Sequence, residues 1–300
     1  MSYAGPAPKR GGQMNLMYVA RGAGRRFTKT LQDWRHRRDL VPVRSRRSRS
    51  SSVLLSFDDG PSPTTTPAVL QLLRQAGVRA AFFLNGARAE RYPALVQALV
   101  EDGHGVFSHT YDHIRFEYLS GPEIRAQLAR CEAVLHRHRA TPSPYPVRLP
   151  YGSGHRDPAV HRALRAWRAD CEIIHWSLSF DDYRLADDCS SEAELRRRCV
   201  DAAALALARP RLPGSIVLLH EDPFGVDAPL ASRIAPVLLE ALLDRSRAKD
   251  IALADEASPV TGRFRKQIRW QSDEGQLQLP GTPALSLPAR TAPLADEVTA

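Results

Sequence analysis

Short apolar runs alternate with amphipathic segments between residues 53 and 254 of this 300-residue chain. The short runs predict buried strands, and apolar positions that recur every three to four residues predict helices. The predicted strands are Val53–Phe57, Ala80–Leu84, Gly105–Ser108, Glu172–Leu178, Ser215–Leu219 and Ile251–Ala254. The predicted helices are Thr66–Gly77, Tyr92–Val100, Pro122–His136, Pro158–Trp167, Glu192–Ala208 and Ile234–Leu243. This alternation favours a parallel α/β architecture, either an open sheet or a closed barrel.

The two ends of the chain lack this pattern. Residues 1–50 have no sustained apolar period and end in a run of arginine and serine. Because such a segment buries too little apolar surface to offset its conformational entropy, it predicts a flexible arm. Residues 257–300 are polar and interrupted by prolines, which predicts a tail. The folded body is therefore expected to span residues 51–256.

The arm carries the net charge of +9. Residues 1–50 contain 13 basic and two acidic residues, whereas residues 51–300 contain 29 basic and 31 acidic residues. The body therefore lacks the cationic excess that a broad nucleic-acid or anionic-membrane surface requires. For the arm, binding to nucleic acid or to an acidic partner remains open. Binding that weakens steeply with salt and disappears on deletion of residues 1–50 would support it.

No stretch approaches the roughly 18 uninterrupted apolar residues of a transmembrane helix. The pair Arg25-Arg26 precedes a polar, charged segment, whereas an export signal needs an apolar stretch of about 7–15 residues. These patterns predict a cytoplasmic protein with no membrane span. The four cysteines form no C-x-x-C pair, which predicts free thiols.

Polar residues cluster where the predicted strands end. In a parallel barrel the carboxyl ends of the strands meet at one face, where active sites are built. The segments in these positions are Asp58-Asp59-Gly60-Pro61, His109-Thr110-Tyr111-Asp112-His113, Asp181-Asp182-Tyr183 and His220, and Arg148-Leu149-Pro150-Tyr151-Gly152 comes before the predicted helix Pro158–Trp167. Recurring carboxylates and imidazoles in these positions predict a catalytic centre.

Two residue pairs among these segments each have two interpretations. Asp58-Asp59 is compatible with a simple turn. In an extended segment the two carboxylates leave on opposite sides, so one can bind a metal while the other takes a different role. His109 and His113, at i and i+4, would share one face of a helical turn, although exposed histidine pairs are common. One aspartate and two histidines form a three-ligand site that leaves a position for an activated water.

Four further residues each have an ordinary structural explanation. Arg148 fits a surface position, Tyr151 a core position and Asp182 a helix cap. His220 fits a buried, hydrogen-bonded histidine. All four nevertheless occur in order at strand ends, and this joint occurrence favours the catalytic interpretation.

Taken in order, the motifs resemble those of the NodB-type polysaccharide deacetylases, metal-dependent hydrolases that remove acetyl groups from N-acetylated sugars. The (T/S)FDDGP motif appears as Ser56–Pro61, H(S/T)xxH as His109–His113, RxPYG as Arg148–Gly152 and LxH as Leu218–His220. The resemblance covers about residues 53–255. It implies a distorted (β/α) barrel with irregular N- and C-terminal extensions.

The resemblance also implies roles for the matching residues on the metal side of the site. Asp59, His109 and His113 would bind a divalent metal, usually zinc in this family. Asp58 would be the general base that deprotonates the attacking water, and Arg148 would orient it.

The remaining roles implied by the resemblance concern proton donation and the substrate. His220, partnered by Asp182, would be the general acid that protonates the leaving amine. The backbone amide of Tyr151 would help to stabilise the oxyanion. Tyr151, Tyr183 and Leu218 would contact the substrate.

The chain departs from the family pattern in two places. The DxxDW motif appears as Ser179-Phe180-Asp181-Asp182-Tyr183, so Ser179 replaces the first aspartate and Tyr183 replaces the tryptophan. Since that tryptophan helps to wall the sugar pocket, the change bears on substrate preference more than on the reaction. After His220, residues 221–224 replace a short glycine-containing turn, which bears on the pocket rim.

The sequence therefore predicts a metal-dependent deacetylase of an N-acetylated amino sugar or amino-sugar conjugate. Because no export signal is readable, a soluble conjugate inside the cell is favoured over cell-wall polymer or chitin. Two alternatives stay open on the same fold: hydrolysis of a non-sugar amide, and sugar binding by a protein with a vestigial site. Comparing acetate release across substrates separates the first alternative, and absence of bound metal would favour the second. The pattern does not predict an oligomeric state.

Overall fold

The computed structural model describes residues 40–47, 51–222 and 230–254. Its strands are β1 Val43–Arg44, β2 Leu54–Asp58, β3 Ala81–Leu84, β4 Gly105–Ser108, β5 Tyr145–Val147, β6 Cys171–Ile174, β7 Leu178–Ser179 and β8 Ile216–His220. Its α-helices are α1 Thr66–Ala76, α2 Gly86–Arg91, α3 Pro93–Glu101, α4 Gly121–Leu135, α5 Pro158–Trp167, α6 Glu192–Leu207 and α7 Ala231–Ala248. Short 3₁₀ turns occupy Phe116–Tyr118, Pro150–Gly152 and Asp182–Arg184.

These strands form one parallel sheet in the order β1-β6-β5-β4-β3-β2-β8-β7. Parallel neighbours need long crossovers, and the helices between successive strands supply most of them. The predicted α/β class and the distorted barrel are both confirmed.

The sheet curls until its two ends approach each other. β6 lies beside one end of the strand order and β7 forms the other end. Only residues 175–177 connect them, a span of at most about 14 Å. The single predicted strand Glu172–Leu178 is therefore wrong. The chain leaves β6 at Ile174, crosses the gap and pairs with β8 from Leu178 onward.

The segment 41–47 lies across this gap and belongs to the folded body. β1 pairs with β6, and Arg46 forms an antiparallel bridge with Ser215, just before β8. The predicted boundary of the arm at residue 50 is therefore wrong, because Arg44 and Arg46 have partners in the body. The guanidinium of Arg46, for example, donates to backbone carbonyls of the loop that leads into β8.

Alternation along the strands separates the barrel interior from the side that faces the helices. In β2, Leu54 belongs to the inner apolar cluster, whereas Leu55 and Phe57 pack on the outer side. The two-residue period then places Asp58 on the inner side at the end of β2. The same period in β4, β5 and β8 carries three more residues to the inner side: His109, Arg148 and His220.

The helix boundaries have local causes. α1 ends at Gly77, whose φ of 67° lies in the left-handed region that glycine adopts at low cost. α4 begins with a capping box, in which Ser120 and Glu123 satisfy each other's backbone N–H groups. Both ends agree with the predicted helices to within one or two residues.

Other short elements differ from the prediction. β1, β5 and α2 were not predicted, and the predicted strand Ile251–Ala254 is wrong, since it forms only an isolated bridge between Leu253 and Val53. The arm up to residue 39 and the tail 257–300 lie outside the described residues, and both stay predictions. None of the described helices has the length and apolar composition needed to cross a bilayer. All four cysteines are free thiols, as predicted.

Candidate metal centre and active site

Asp59, His109 and His113 meet at the inner face of the barrel. The Nε2 atoms of His109 and His113 lie 3.3 and 3.1 Å from Oδ1 of Asp59. All three residues are buried, and their ligand atoms lie within 4.8 Å of one another. Within the described residues this is the one Asp/Glu/His/Cys cluster close enough to hold a metal ion.

The backbone at Asp59 explains how two adjacent carboxylates reach the same site. Asp59 has a φ of 71°, which turns the chain sharply at the end of β2. As a result, Oδ2 of Asp58 and Oδ1 of Asp59 both approach Nε2 of His109, at 3.7 and 3.3 Å. The expectation that the two side chains leave an extended segment on opposite sides is therefore wrong.

The loop from His109 to His113 is not a helical turn, contrary to the prediction. Thr110 and His113 have φ values of 67° and 56°, and the segment has no helical hydrogen-bond pattern. These left-handed residues fold the loop back, so that the two imidazole centroids lie 4.9 Å apart. The loop therefore brings the rings together by a route other than the i, i+4 face of a helix.

A hydrogen bond to the main chain fixes the tautomer of His109. Its Nδ1 lies 2.9 Å from the carbonyl oxygen of Arg148, which can only accept, so Nδ1 carries the proton. In the neutral ring, Nε2 then presents a lone pair toward Asp59. This arrangement, in which the outer nitrogen donates to a carbonyl, is typical of metal-binding histidines.

The residues fit a divalent cation. Oδ1 of Asp59 is buried and receives no hydrogen bond from any described residue, although two imidazole nitrogens lie close to it. Burial disfavours the Asp59 carboxylate, and only positive charge on the two neighbouring imidazoles would outweigh this and hold the pKa of Asp59 far below its usual range. A buried anion beside two nitrogen lone pairs calls for a positive charge at this point, and one carboxylate with two imidazoles is a familiar donor set for zinc.

Asp58 lies next to this cluster and is held by Arg148. Nη1 of Arg148 donates to Oδ1 of Asp58 at 2.7 Å, and both side chains are at most 3% exposed. Nε of Arg148 donates to the carbonyl oxygen of Ile174 at 3.1 Å. The alternative of a surface position for Arg148 is therefore excluded, and its guanidinium orients one edge of the Asp58 carboxylate.

His220 and Asp182 form the next part of the site, since His220 of β8 is the register partner of Asp58 of β2. Nδ1 of His220 lies 2.7 Å from Oδ1 of Asp182, and the backbone N–H of His220 donates to Oδ2 at 2.7 Å. Burial opposes protonation of His220, but the Asp182 carboxylate outweighs it and raises the pKa of His220 to about 9. The Asp182 carboxylate therefore favours the protonated form of the His220 ring.

The predicted substrate contacts occupy different environments. Tyr151 is 53% exposed, and its ring centroid lies 4.6 Å from that of His113. Tyr183 is 41% exposed and meets the His220 ring edge-on at 6.1 Å. Leu218 is buried in β8, opposite Ser179 of β7. The two tyrosines therefore contact the rings of His113 and His220, whereas Leu218 is buried within the sheet.

Three residues near the site were not predicted. The Ser56 hydroxyl oxygen accepts a hydrogen bond from Nη1 of Arg148 at 2.9 Å. The two-residue period of the strand could have indicated that Ser56 lies on the same side as Asp58. Glu221 is fully buried, and burial raises its pKa to about 8. Its position after His220 was the available signal. No sequence signal indicated Arg88, which reaches the site from α2.

Fold and site together define a distorted parallel barrel with a candidate metal centre on its inner face. Comparison with known proteins gives the family. Residues 45–168 match the polysaccharide deacetylase family profile. A chitooligosaccharide deacetylase of Sinorhizobium fredii is 32% identical over 170 residues, which span 57% of this chain and 72% of that protein. The chain belongs to the polysaccharide deacetylase family, and the predicted resemblance is confirmed.

Two further proteins are similar to this chain. A peptidoglycan-N-acetylglucosamine deacetylase of Bacillus cereus is 31% identical over 176 residues, which is 58% of either chain. The chain thus aligns with little more than half the length of that relative. The chitin deacetylase of Colletotrichum lindemuthianum shares the fold, with a TM-score of 0.57 and 24% identity over 72% of this chain and 89% of the other.

Proposed function

We propose that this protein removes the acetyl group from an N-acetylated amino sugar in a divalent-metal-dependent hydrolysis. The observation that carries the proposal is the placement of two proton-transfer groups, Asp58 and His220, at the ends of neighbouring strands beside one ligand cluster. Asp58 lies beside His109 of the cluster, and the His220–Asp182 pair closes the site at the end of β8. Relatives that act on chitooligosaccharides and peptidoglycan support a sugar substrate.

Asp58 takes a proton from the attacking water. Its Oδ1 is occupied by Arg148, which leaves Oδ2, on the side of the ligand cluster, to act as the base. As the water oxygen bonds to the acetyl carbon, its proton passes to this carboxylate. Positioned acid–base groups typically contribute about 10²–10⁴-fold to the rate.

His220 supplies the second proton. Asp182 fixes the ring through Nδ1 and keeps it protonated, so Nε2 donates to the sugar nitrogen as the C–N bond breaks. The products are acetate and a free amine. The protonated Asp58 and the neutral His220 then return to their starting states by exchange with water.

A divalent metal at Asp59, His109 and His113 would activate the water and offset the negative charge that develops on the acetyl oxygen. We propose zinc, because one carboxylate and two imidazoles match its preferred ligands. The backbone amide of Tyr151 is proposed as an additional donor to that oxygen, which is a role worth about 10²–10³-fold where it has been measured.

The test is acetate release from a panel of N-acetylated monosaccharides, chitooligosaccharides, peptidoglycan fragments, nucleotide-linked amino sugars and simple non-sugar acetamides. We expect release from at least one sugar, abolished by a chelator and restored by zinc. If acetate is released from the non-sugar acetamides alone, the substrate is a non-sugar amide and the proposed sugar substrate is wrong. If the protein binds no metal and releases no acetate, its site is vestigial and the alternative of a sugar-binding protein is favoured. The panel also compares the intracellular conjugate that the sequence favours with wall polymers.

Two adjacent variants separate the roles of the carboxylates. Asp58→Asn is expected to keep stoichiometric metal and to lose turnover by about 10²-fold or more, because only the base is removed. Asp59→Asn is expected to lose metal affinity itself. Normal turnover in Asp58→Asn would contradict the proposed mechanism.

A further inference from the structure

Arg88 connects the two loops that carry the reacting groups. Its Nη1 donates to the carbonyl oxygen of Asp59 at 2.9 Å and to the carbonyl oxygen of Asp222 at 2.8 Å. The same nitrogen lies 3.2 Å from Oδ2 of Asp222. One guanidinium edge therefore spans from the residue after Asp58 to the second residue after His220.

The loops that Arg88 joins are also packed directly against each other. The backbone N–H of Glu221 donates to the carbonyl oxygen of Asp58 at 3.0 Å, and Oε1 of Glu221 accepts from the Thr66 hydroxyl at 2.5 Å. The Glu221 carboxyl fills the space over Gly60, where any Cβ would overlap Oε2. This contact leaves the Asp58–Gly60 turn little room to move toward Glu221, while Arg88 holds its Asp59 carbonyl.

The position of Arg88 is itself fixed. Asn85 caps α2 by accepting a hydrogen bond from the Arg88 backbone N–H at 3.0 Å, and the side chain is only 22% exposed. Asp59 adopts a φ of 71°, a conformation that a residue other than glycine keeps only when neighbouring contacts enforce it. A hydrogen bond to the carbonyl of that residue is such a contact.

We propose that Arg88 is a positioning residue, which fixes the Asp59 ligand and sets its spacing from the His220 loop. The inference rests on the proposed function, because it concerns the same metal cluster and proton donor. The contacts that carry the inference run from the Arg88 guanidinium to the backbone carbonyl oxygens of Asp59 and Asp222, so the proposed effect on the ligand and the proton donor passes through the backbone that carries them.

The test compares Arg88→Ala with Arg91→Ala in the full chain. Arg91 lies on the same helix, is exposed and stacks on Tyr92, so it controls for loss of an α2 arginine. For Arg88→Ala we expect zinc affinity, measured by competition with a chromophoric chelator, to weaken by about 10–100-fold. We expect kcat at saturating zinc to fall by about tenfold, with KM changed by less than about twofold.

Chemical rescue separates positioning from general destabilisation. Millimolar guanidinium should restore part of the kcat and of the zinc affinity of Arg88→Ala, while urea at the same concentration should not. If Arg88→Ala does not fold, Arg88→Gln is measured in the same way. Asp222→Ala removes the carboxylate but keeps both carbonyl contacts, and it should lose much less than Arg88→Ala.

Two results would overturn the inference: zinc affinity and kcat of Arg88→Ala equal to those of Arg91→Ala, or losses that guanidinium does not relieve. Failure of the proposed function is a different outcome, since the wild-type protein itself would then bind no zinc and release no acetate. That outcome would remove the basis of the inference as well.

Discussion

The backbone carbonyl of Arg148 accepts a hydrogen bond from Nδ1 of His109 at 2.9 Å. The guanidinium of the same residue holds Asp58 at 2.7 Å. One residue thus orients a proposed metal ligand through its main chain and the proposed base through its side chain. A side-chain substitution at this position should therefore separate metal binding from turnover.

Arg148→Gln is expected to keep its metal and to lose turnover by about 10²-fold or more, because Asp58 loses its orienting partner. Breaking a buried ion pair on one side also costs about 3–5 kcal/mol in the free energy of unfolding. Metal content, acetate release and denaturant unfolding measure the three effects. Arg168→Gln, which breaks a partly exposed pair with Asp170, is the control and should cost at most about 1 kcal/mol. A folded Arg148→Gln protein without metal would contradict the division of roles.

The strands that were predicted correctly are apolar runs of four or five residues, and the helices that were predicted correctly are long enough to show a period. β2, β3, β4 and β8 are short apolar runs, and α1, α4, α5 and α6 carry apolar stripes. The missed strands β1 and β5 have only two and three residues, and the missed helix α2 has six, which is less than two helical turns. In β1 the charge also misled, since the arginines of 44–47 resembled a solvated run but donate to carbonyls, a hydroxyl and Glu172.

The candidate site was predictable only as far as its motifs. Strand ends placed Asp58, His109 and His220 at one face, because alternation and parallel pairing are local rules, whereas Arg148 was indicated only by its motif, since β5 was not predicted. The loop conformations were not predictable in this way, since the positive φ values of Asp59, Thr110 and His113 depend on tertiary contacts. Arg88 and Glu221 were missed for the same reason, because their partners lie far away in the sequence.

The pH dependence of the reaction should report the His220–Asp182 pair. His220 must be protonated to act as the acid, and its raised pKa of about 9 keeps it so at neutral pH. Activity should therefore be lost as the pH rises through the pKa of His220. Asp182→Asn removes the charge that raises this pKa, so the basic limb of kcat/KM should move to lower pH.

Asp181→Asn is the matched control for this shift. Asp181 is the exposed neighbour of Asp182, and its backbone N–H donates a hydrogen bond to the Ser179 hydroxyl. Its substitution should leave the basic limb where it is in the wild-type protein. An unchanged basic limb in Asp182→Asn would show that another group limits the rate at high pH.

His104 should make the fold sensitive to acid. The ring is 2% exposed, Nδ1 accepts from the backbone N–H of Ala80 at 3.2 Å, and burial lowers the pKa of His104 to about 4. The unfolded chain has a histidine pKa near 6.5, so between about pH 6.5 and 4 it binds a proton that the folded protein refuses. Stability is then lost as the pH falls through this window, by up to roughly 3 kcal/mol.

His104→Asn removes this term, because asparagine can accept from Ala80 without titrating. The variant should be less stable than the wild-type protein at pH 7.5, since it fills less of the core. The difference between the two free energies of unfolding should shrink as the pH falls to 4.5. Other acid-sensitive groups, such as His175, titrate in both proteins and cancel in this difference. Parallel pH curves would show that His104 is not the group responsible.

The segment 41–47 should mark the true start of the folded body. Val41 is 4% exposed in the core, and the backbone N–H groups of Ile173 and His175 donate to carbonyls of this segment at 2.8 and 2.6 Å. Arg44 pairs with Glu172 through two hydrogen bonds. Removing the segment would expose the edge of β6 and the site of Val41.

Deleting residues 1–39 should therefore leave the melting temperature near that of the full chain, whereas deleting 1–50 should lower it by about 10 °C or more. The estimate follows from one buried valine and several hydrogen bonds, each worth about 1–2 kcal/mol, at roughly 2–4 °C per kcal/mol for a body of this size. The two deletions also distinguish an interaction made by the basic arm from an effect of disturbing the barrel. A salt-sensitive interaction that disappears in both deletions belongs to residues 1–39, while one lost only with 1–50 reflects damage to the barrel. Equal melting temperatures for the two deletions would mean that β1 contributes little to closing the sheet.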